Sequence, residues 1–410
     1  MLNSNYLKKL CPVCFLLLVC MFSSCGKGVK VAWQPVPSGE EGHVGTLKVY
    51  LENSGSMDGY MCTGAELKDA VYGYVSALAG YSDTTELNYI NSMVIPHKSN
   101  LQTFIRNLTP EKFRTVGGVR KNSDLGDMLV RMLGTLKPSD VAVFVSDCIL
   151  DVPEGNAQDF FVNRQIDIRN AILKQRKKDP EFAVEIICME SKFEGNYYGS
   201  DGTTKLEGEK RPYYMWLMGS RSALALLNSK VTLKEIPHGY KYYCAYTPKA
   251  VVPFSITNKF GKDGVNAKGK EKDEKEIALK TSKKGKYLVQ MKADMSQTLQ
   301  DDSYLQDLKN YQTSNAFLQL ESIAPFKGDE DYTHQLTFTI DKNRFKSAAE
   351  QMVLRYPHDV KWVEMMNDDT GKNIKGNLSK TSGIKYLVMG VADAYKDEKQ
   401  LAEIIFKIIK

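Results

Sequence analysis

Three short segments of the sequence concentrate the oxygen donors that suit a small, hard cation. Glu52-Asn53-Ser54-Gly55-Ser56 supplies one carboxylate and two hydroxyls. Asn122-Ser123-Asp124-Leu125-Gly126-Asp127 reads as a turn that opens a helix. Ser146-Asp147 closes an apolar run. A divalent cation, Mg²⁺ first, favours such a set, because it keeps several waters and takes few carboxylates. In an open α/β sheet, ligands bind at the carboxyl ends of the strands. All three segments fall at such ends.

The elements that must position them follow from hydrophobic periodicity. Leu47 to Leu51 alternates as a strand and runs directly into Glu52. Leu67, Val71, Tyr74, Val75 and Leu78 have helical spacing. Leu87 to Ile95 is a second strand candidate and Leu101 to Leu108 a short helix. Leu125, Met128, Leu129, Met132 and Leu133 form the stripe of another helix. Asp140 to Asp147 is a continuous apolar run ending in a carboxylate, which fits a strand buried on both faces of a parallel sheet. Residues 160–176 read as a helix and Phe182 to Cys188 as a further buried strand. Residues 191–211 are polar and Gly-rich and read as an excursion. Tyr213 to Met218 is the last strand of this half and Ser220 to Leu227 its helix. Strands alternating with helices predict a doubly wound, mostly parallel α/β sheet over 46–245. Beyond it, Tyr287–Met291, Phe317–Leu320, Gln335–Ile340, Met352–Tyr356, Trp362–Met365 and Tyr386–Val391 are short strand-like runs split by turns. Residues 246–410 therefore read as a β-rich second domain, closed by a helix from Glu398 to Ile409. The Lys- and Gly-rich stretch 255–286 reads as a solvated loop or an ornate hairpin, since acidic residues are interleaved.

The three oxygen-bearing segments, in this order, resemble the metal-ion-dependent adhesion site of von Willebrand factor A and integrin I domains. The family's Asp-x-Ser-x-Ser is matched by Glu52-x-Ser54-x-Ser56, followed by Met57. Its Gly-Gly-Thr-Asp-Leu turn is similar to 122–127, with Ser123 in place of Thr. Its Thr-Asp-Gly is similar to Ser146-Asp147-Cys148. The resemblance covers roughly residues 45–245. It implies that Ser54, Ser56 and Ser123 contact the ion directly, that Glu52 and Asp147 hold it through water, and that a partner protein's carboxylate takes the open position. Three departures matter. Glu52 is one methylene longer than Asp, which disturbs tight octahedral geometry. Ser123 keeps a hydroxyl without β-branch stiffness. Cys148 replaces Gly, so the following turn must differ. The bland alternative is that Ser54 and Ser123 only cap helices.

The N-terminus reads as an export signal over 1–24. Lys8 and Lys9 precede an apolar run from Cys11 to Phe22, and small Ser23 and Ser24 lead to Cys25. The run is too short to span a bilayer, which takes about 20 residues. Phe22-Ser23-Ser24-Cys25 is similar to the lipobox of bacterial lipoproteins, which implies lipidation of Cys25 and attachment to the membrane through several acyl chains. Residues 25–45 then read as the lipidated N-terminus and a linker. Gly26 and Lys27 lack an inner-membrane-retaining Asp, so the expected location is the outer membrane, with the site facing the periplasm. Export permits disulfides, but Cys62, Cys148, Cys188 and Cys244 have no metal-type spacing and no evident pairing.

The formal charge is +6, and removing Lys8 and Lys9 leaves +4. That is too weak to argue for nucleic acid, which needs a concentrated basic face. The five histidines, His43, His97, His238, His334 and His358, are scattered without ligand spacing. Asp58 reads as a turn residue and Tyr213-Tyr214-Met215-Trp216 as buried strand. The expected function is a non-enzymatic module that binds a protein partner. Two alternatives stand beside it. One is a metal-assisted envelope hydrolase using Ser54 or Ser56, against which no Gly-x-Ser-x-Gly elbow occurs. The other is a metal-free scaffold of an envelope assembly.

Overall fold

The computed structural model describes residues 29–37, 42–121, 124–150, 157–257, 275–279, 286–328, 331–341, 343–344, 346–357 and 360–409. Cys25, Ser123 and His358, together with most of the Lys-rich stretch, lie outside the described residues.

In chain order the first half contains Lys30–Trp33 (β1), Thr46–Glu52 (β2), Glu66–Ala79 (α1), Thr84–Ile90 (β3), Val94–His97 (β4), Leu101–Arg106 (α2), Pro110–Arg114 (α3), Leu125–Gly134 (α4) and Val141–Ser146 (β5). Then come Ala157–Lys178 (α5), Phe182–Gly199 (β6), Gly202–Ser220 (β7), Arg221–Lys230 (α6) and Tyr242–Tyr246 (β8). The second half contains Ala250–Val251 (β9), Phe254–Thr257 (β10), Lys275–Ala278 (β11), Lys286–Ala293 (β12), Asp302–Gln306 (α7), Tyr311–Thr313 (β13), Leu318–Pro325 (β14), His334–Asp341 (β15) and Ala348–Arg355 (β16). It ends with Lys361–Met366 (α8), Asn367–Asp368 (β17), Thr381–Ser382 (β18), Ile384–Ala394 (α9) and Gln400–Ile409 (β19).

The chain is a mixed α/β protein. Its main sheet has seven strands in the order β4-β3-β2-β5-β7-β6-β8. The sheet divides two cores. On one face Leu47, Val49 and Leu51 of β2 and Val141, Val143 and Val145 of β5 pack with α1 and α6. On the other, Tyr50, Ala142 and Phe144 pack with α4, α5 and α9. A strand buried on both faces has no polar side to show, which is why β5 reads as Val-Ala-Val-Phe-Val-Ser.

The sheet is not mostly parallel. Only β2–β3 and β2–β5 pair in parallel, while β3–β4, β5–β7, β6–β7 and β6–β8 are antiparallel. The physical reason is a hairpin. Helix α5 carries the chain past one strand position to β6, and β7 turns back to fill the gap beside β5. Residues 191–211 are therefore not an excursion but the outer arms of two strands of 18 and 19 residues. Strand β8 then caps the edge with its Cys244 beside Ile186.

The second half builds a sheet in the order β11-β1-β19-β16-β13, with β9 also on β19, and a four-stranded sheet β10-β12-β15-β14. Strand β1 lies inside the segment expected as a linker, and its Val31, Ala32 and Trp33 are buried. The expected C-terminal helix is strand β19. Leu401, Ile404, Ile405 and Ile408 fit helical spacing, but four β-branched isoleucines favour a strand. Its buried Ile404, Phe406 and Ile408 alternate with outward Ile405 and Lys407, and it pairs with β1 and β16. Conversely, Tyr386–Val391 belongs to helix α9 and Trp362–Met365 to helix α8, not to strands. Buried Ile384, Leu387, Val388, Val391 and Ala394 of α9 repeat at helical intervals. Helix α9 returns to the first core, where Tyr386 stacks on Phe161 of α5 with centroids 4.9 Å apart. A side chain at Gly390 would strike the Gln165 carbonyl and Ile168.

Candidate functional site

Strands β2 and β5 lie side by side in parallel, so their carboxyl ends deliver Glu52 and Ser146-Asp147 to the same place. Glu52 is 3% exposed and Asp147 1%. The Ser146 hydroxyl donates to Glu52 Oε2 and itself accepts the Cys148 N–H at 2.8 Å. The extra methylene of Glu52 thus carries its carboxyl onto the neighbouring strand. Cys148 adopts φ 54, the left-handed region where a glycine would be unstrained. The Ile149 N–H reaches Asp147 Oδ1 at 3.2 Å. Asp147 Oδ2 is buried with no hydrogen-bond partner. After β2 the chain enters a 3₁₀ turn, Ser56–Met61, and Ser54 Oγ meets Ser56 Oγ at 2.9 Å.

Burial pushes the Glu52 carboxyl well above its usual range, and the charge of Asp147 pushes it further. Hydrogen bonds from Ser146 and Ser54 partly offset this. Asp147 is also raised by burial, while Ser56, the Ile149 N–H and the Arg211 guanidinium pull it back. Two buried carboxylates at one strand end disfavour each other's ionised form. A divalent cation would reverse that balance.

The loop before α4 is clamped across the strand ends. Asn53 Nδ2 donates to the Phe113 carbonyl at 2.8 Å. Asn91 Nδ2 donates to Asn53 Oδ1 at 3.2 Å and to the Gly117 carbonyl at 2.8 Å. Arg120 Nη2 donates to the Ser54 carbonyl at 2.9 Å. Gly118 has φ 71, and a Cβ there would run into the Asn91 amide. Asp124 caps α4, its Oδ1 accepting from Gly126 N–H at 2.9 Å and Asp127 N–H at 3.2 Å, and its Oδ2 pairs with Arg164. Asp58 is not free for an ion, because Arg114 and Arg120 both hold it.

No protein-family model matches the sequence, and no curated protein or solved structure matches the chain. The site therefore stands on its own geometry.

Of the expected ion-site residues, Glu52, Ser54, Ser56 and Asp147 come together; Ser123 is outside the described residues. Among the described residues no group of three His, Cys, Asp or Glu could hold a metal. The set gathered at the strand ends is instead two carboxylates and two serine hydroxyls. The unpartnered Asp147 Oδ2 and the hard-oxygen chemistry fit Mg²⁺. His43, His97, His238 and His334 remain dispersed, bonded to Asp83, Ser99, Asp69 and Thr333. Cys62, Cys148, Cys188 and Cys244 are free and buried.

Sequence reading missed Arg211. It lies in the stretch taken for an excursion, yet it is 1% exposed. Its Nη1 donates to the carbonyls of Asn377, Leu378 and Lys380 at 3.3, 2.8 and 2.8 Å. Its guanidinium lies over the Tyr197 ring, 4.8 Å from the centroid. These are tertiary contacts, and no local pattern announces them.

Proposed function

We propose that this protein is a lipid-anchored, non-enzymatic binding module that captures a protein partner through a divalent ion, with Mg²⁺ as the first candidate. The reading supposes that the β4-β3-β2-β5 half of the sheet is a variant of the von Willebrand factor A arrangement, extended by the β6–β7 hairpin. One observation carries it: Asp147 Oδ2 is buried without a partner beside Glu52, Ser54 and Ser56 at adjoining strand ends. A buried carboxylate oxygen without a donor is costly unless something positive meets it. Ser54 and Ser56 would bind the ion directly, with Ser123 as third hydroxyl, and Glu52 and Asp147 would act through water. The ion would supply a Lewis-acidic position for a partner's carboxylate.

The anchor would be Cys25, after removal of residues 1–24, with the chain at the outer membrane facing the periplasm. No described helix is long and apolar enough to cross a membrane. Four residues, Gly26 to Val29, separate Cys25 from β1, so a lipid there would hold the start of β1 within about 18 Å of the bilayer surface.

Calorimetry with Mg²⁺ and Mn²⁺ on the full chain in detergent, beside Asp147→Ala, tests the reading. Binding that disappears in the variant supports it. Absence of binding in both leaves the metal-free scaffold.

A further inference from the structure

The rim on one side of the candidate site is basic. Between residues 111 and 121 the chain carries Lys112, Arg114, Arg120 and Lys121 against Glu111 alone. The acid that this segment meets is Asp58, which pairs with Arg114 Nε at 2.9 Å and also with Arg120. Among the described residues this edge thus holds four cations against two acids. The arginines are fixed at the site and not scattered over the surface. Arg120 bonds the Ser54 carbonyl at 2.9 Å, and the Gly55 N–H bonds the Arg120 carbonyl at 3.2 Å. Arg114 is held by Asp58 on the turn that carries Ser56, yet its side chain is 59% exposed. Lys121 follows Arg120 in the chain and is exposed. Tyr198 of the hairpin, 48% exposed, stands at Gly55, where its ring would touch a Cβ at 3.6 Å. The candidate site is therefore bordered by a cationic edge and an exposed aromatic ring.

We propose that this face is the docking surface for an acidic peptide segment of the partner, with acidic residues on the Arg114–Lys121 edge and the peptide backbone against Tyr198. The proposal rests on the ion-binding reading for the central carboxylate, but the cationic edge acts independently of any ion. Complementary charge of this kind sets partner choice and association rate more than raw affinity. Rim charges also lose strength as salt rises.

The test uses the full chain in detergent and fluorescence anisotropy. The probes are a fluorescein-labelled Gly-Asp-Glu-Asp-Gly peptide and its Gly-Asn-Gln-Asn-Gly counterpart, each with and without Mg²⁺, at low and high salt. The acidic peptide is expected to bind at least tenfold tighter than the amide one at low salt. Arg114→Glu is expected to abolish that preference and Lys121→Glu to reduce it severalfold, with calorimetric Mg²⁺ affinity not lowered in either. Both side chains are exposed, and a melting curve confirms the fold. Equal binding of the two peptides, or a preference that survives Arg114→Glu, overturns the proposal. Arg114-dependent preference in a chain that binds no Mg²⁺ supports it and refutes the ion reading alone. Mg²⁺ binding without the preference does the reverse.

Discussion

Glu185 of β6 offers a test of the sheet that carries the site. It is 1% exposed. Its Oε1 lies 2.6 Å from the Tyr243 hydroxyl and 2.6 Å from Asn228 Nδ2. The same hydroxyl lies 2.7 Å from the Leu299 carbonyl. A phenol has one proton, and a carbonyl can only accept. If Tyr243 donates to Leu299, the proton between Tyr243 and Glu185 must belong to Glu185. A neutral acid satisfies both contacts, whereas an ionised one must take the Tyr243 proton and leave the Leu299 carbonyl without it. Burial, opposed by the Tyr243 and Asn228 hydrogen bonds, raises its pKa from 4.5 to about 7. A raised acid stabilises the fold fully below pH 4.5 and loses that contribution as pH climbs to about 7. At roughly 1.4 kcal/mol per tenfold, the loss across that window is about 3 kcal/mol. Glu185→Gln keeps the shape and cannot ionise. It carries a constant offset for its second amide proton, the same at every pH. Urea unfolding of both forms at pH 5 and pH 8 is the assay. The variant should gain about 2.5 kcal/mol on the wild type between those pH values. An unchanged difference would refute the neutral-acid assignment.

Three further outcomes follow from the site. Asp147→Asn should abolish Mg²⁺ binding by calorimetry, because the amide brings no negative charge to the ion. Gly118→Ala should cost about 2 kcal/mol in urea unfolding, since φ 71 strains a side chain and its Cβ meets the amide that ties Asn53 to Gly117. Arg211→Met should cost about 3 kcal/mol by the same assay, because it strips the donor from three carbonyls that join the hairpin to residues 377–380.

The site was legible where chemistry and strand ends coincide. Val141–Ser146 announces a doubly buried strand by its composition, and Asp147 follows it directly. Glu52 follows β2 in the same way. The parallel β2–β5 pairing then does the rest, so the two carboxylates meet without any long-range information beyond the strand order. The expected direction of β7 failed because a periodic pattern fixes which face is buried and not which way the strand runs. The Arg211–Gly219 part of β7 is buried on both faces whichever way it points. The exchange at the C-terminus has a related cause. A ten-residue run containing Leu401, Ile404, Ile405 and Ile408 satisfies both periods, and only pairing with β1 and β16 decides it.

Arg211 shows where such reading stops and what it costs. The guanidinium sits inside the core, and two of its nitrogens, Nε and Nη2, have no hydrogen-bond partner. A buried cation in that state is tolerable only near compensating charge. Asp147 contributes some of it without a direct contact, since the guanidinium favours its ionised form, and the ring of Tyr197 covers the cation. The hairpin that made the sheet antiparallel is thus the same element that brings a positive group within electrostatic reach of Asp147. A positive group built into β7 weakens the pull of Asp147 on an ion and lowers the cost of an empty site. The Mg²⁺ affinity of Arg211→Met, if the variant folds, should therefore exceed that of the wild type. An affinity equal to or below the wild type would mean that Arg211 only staples the hairpin to residues 377–380.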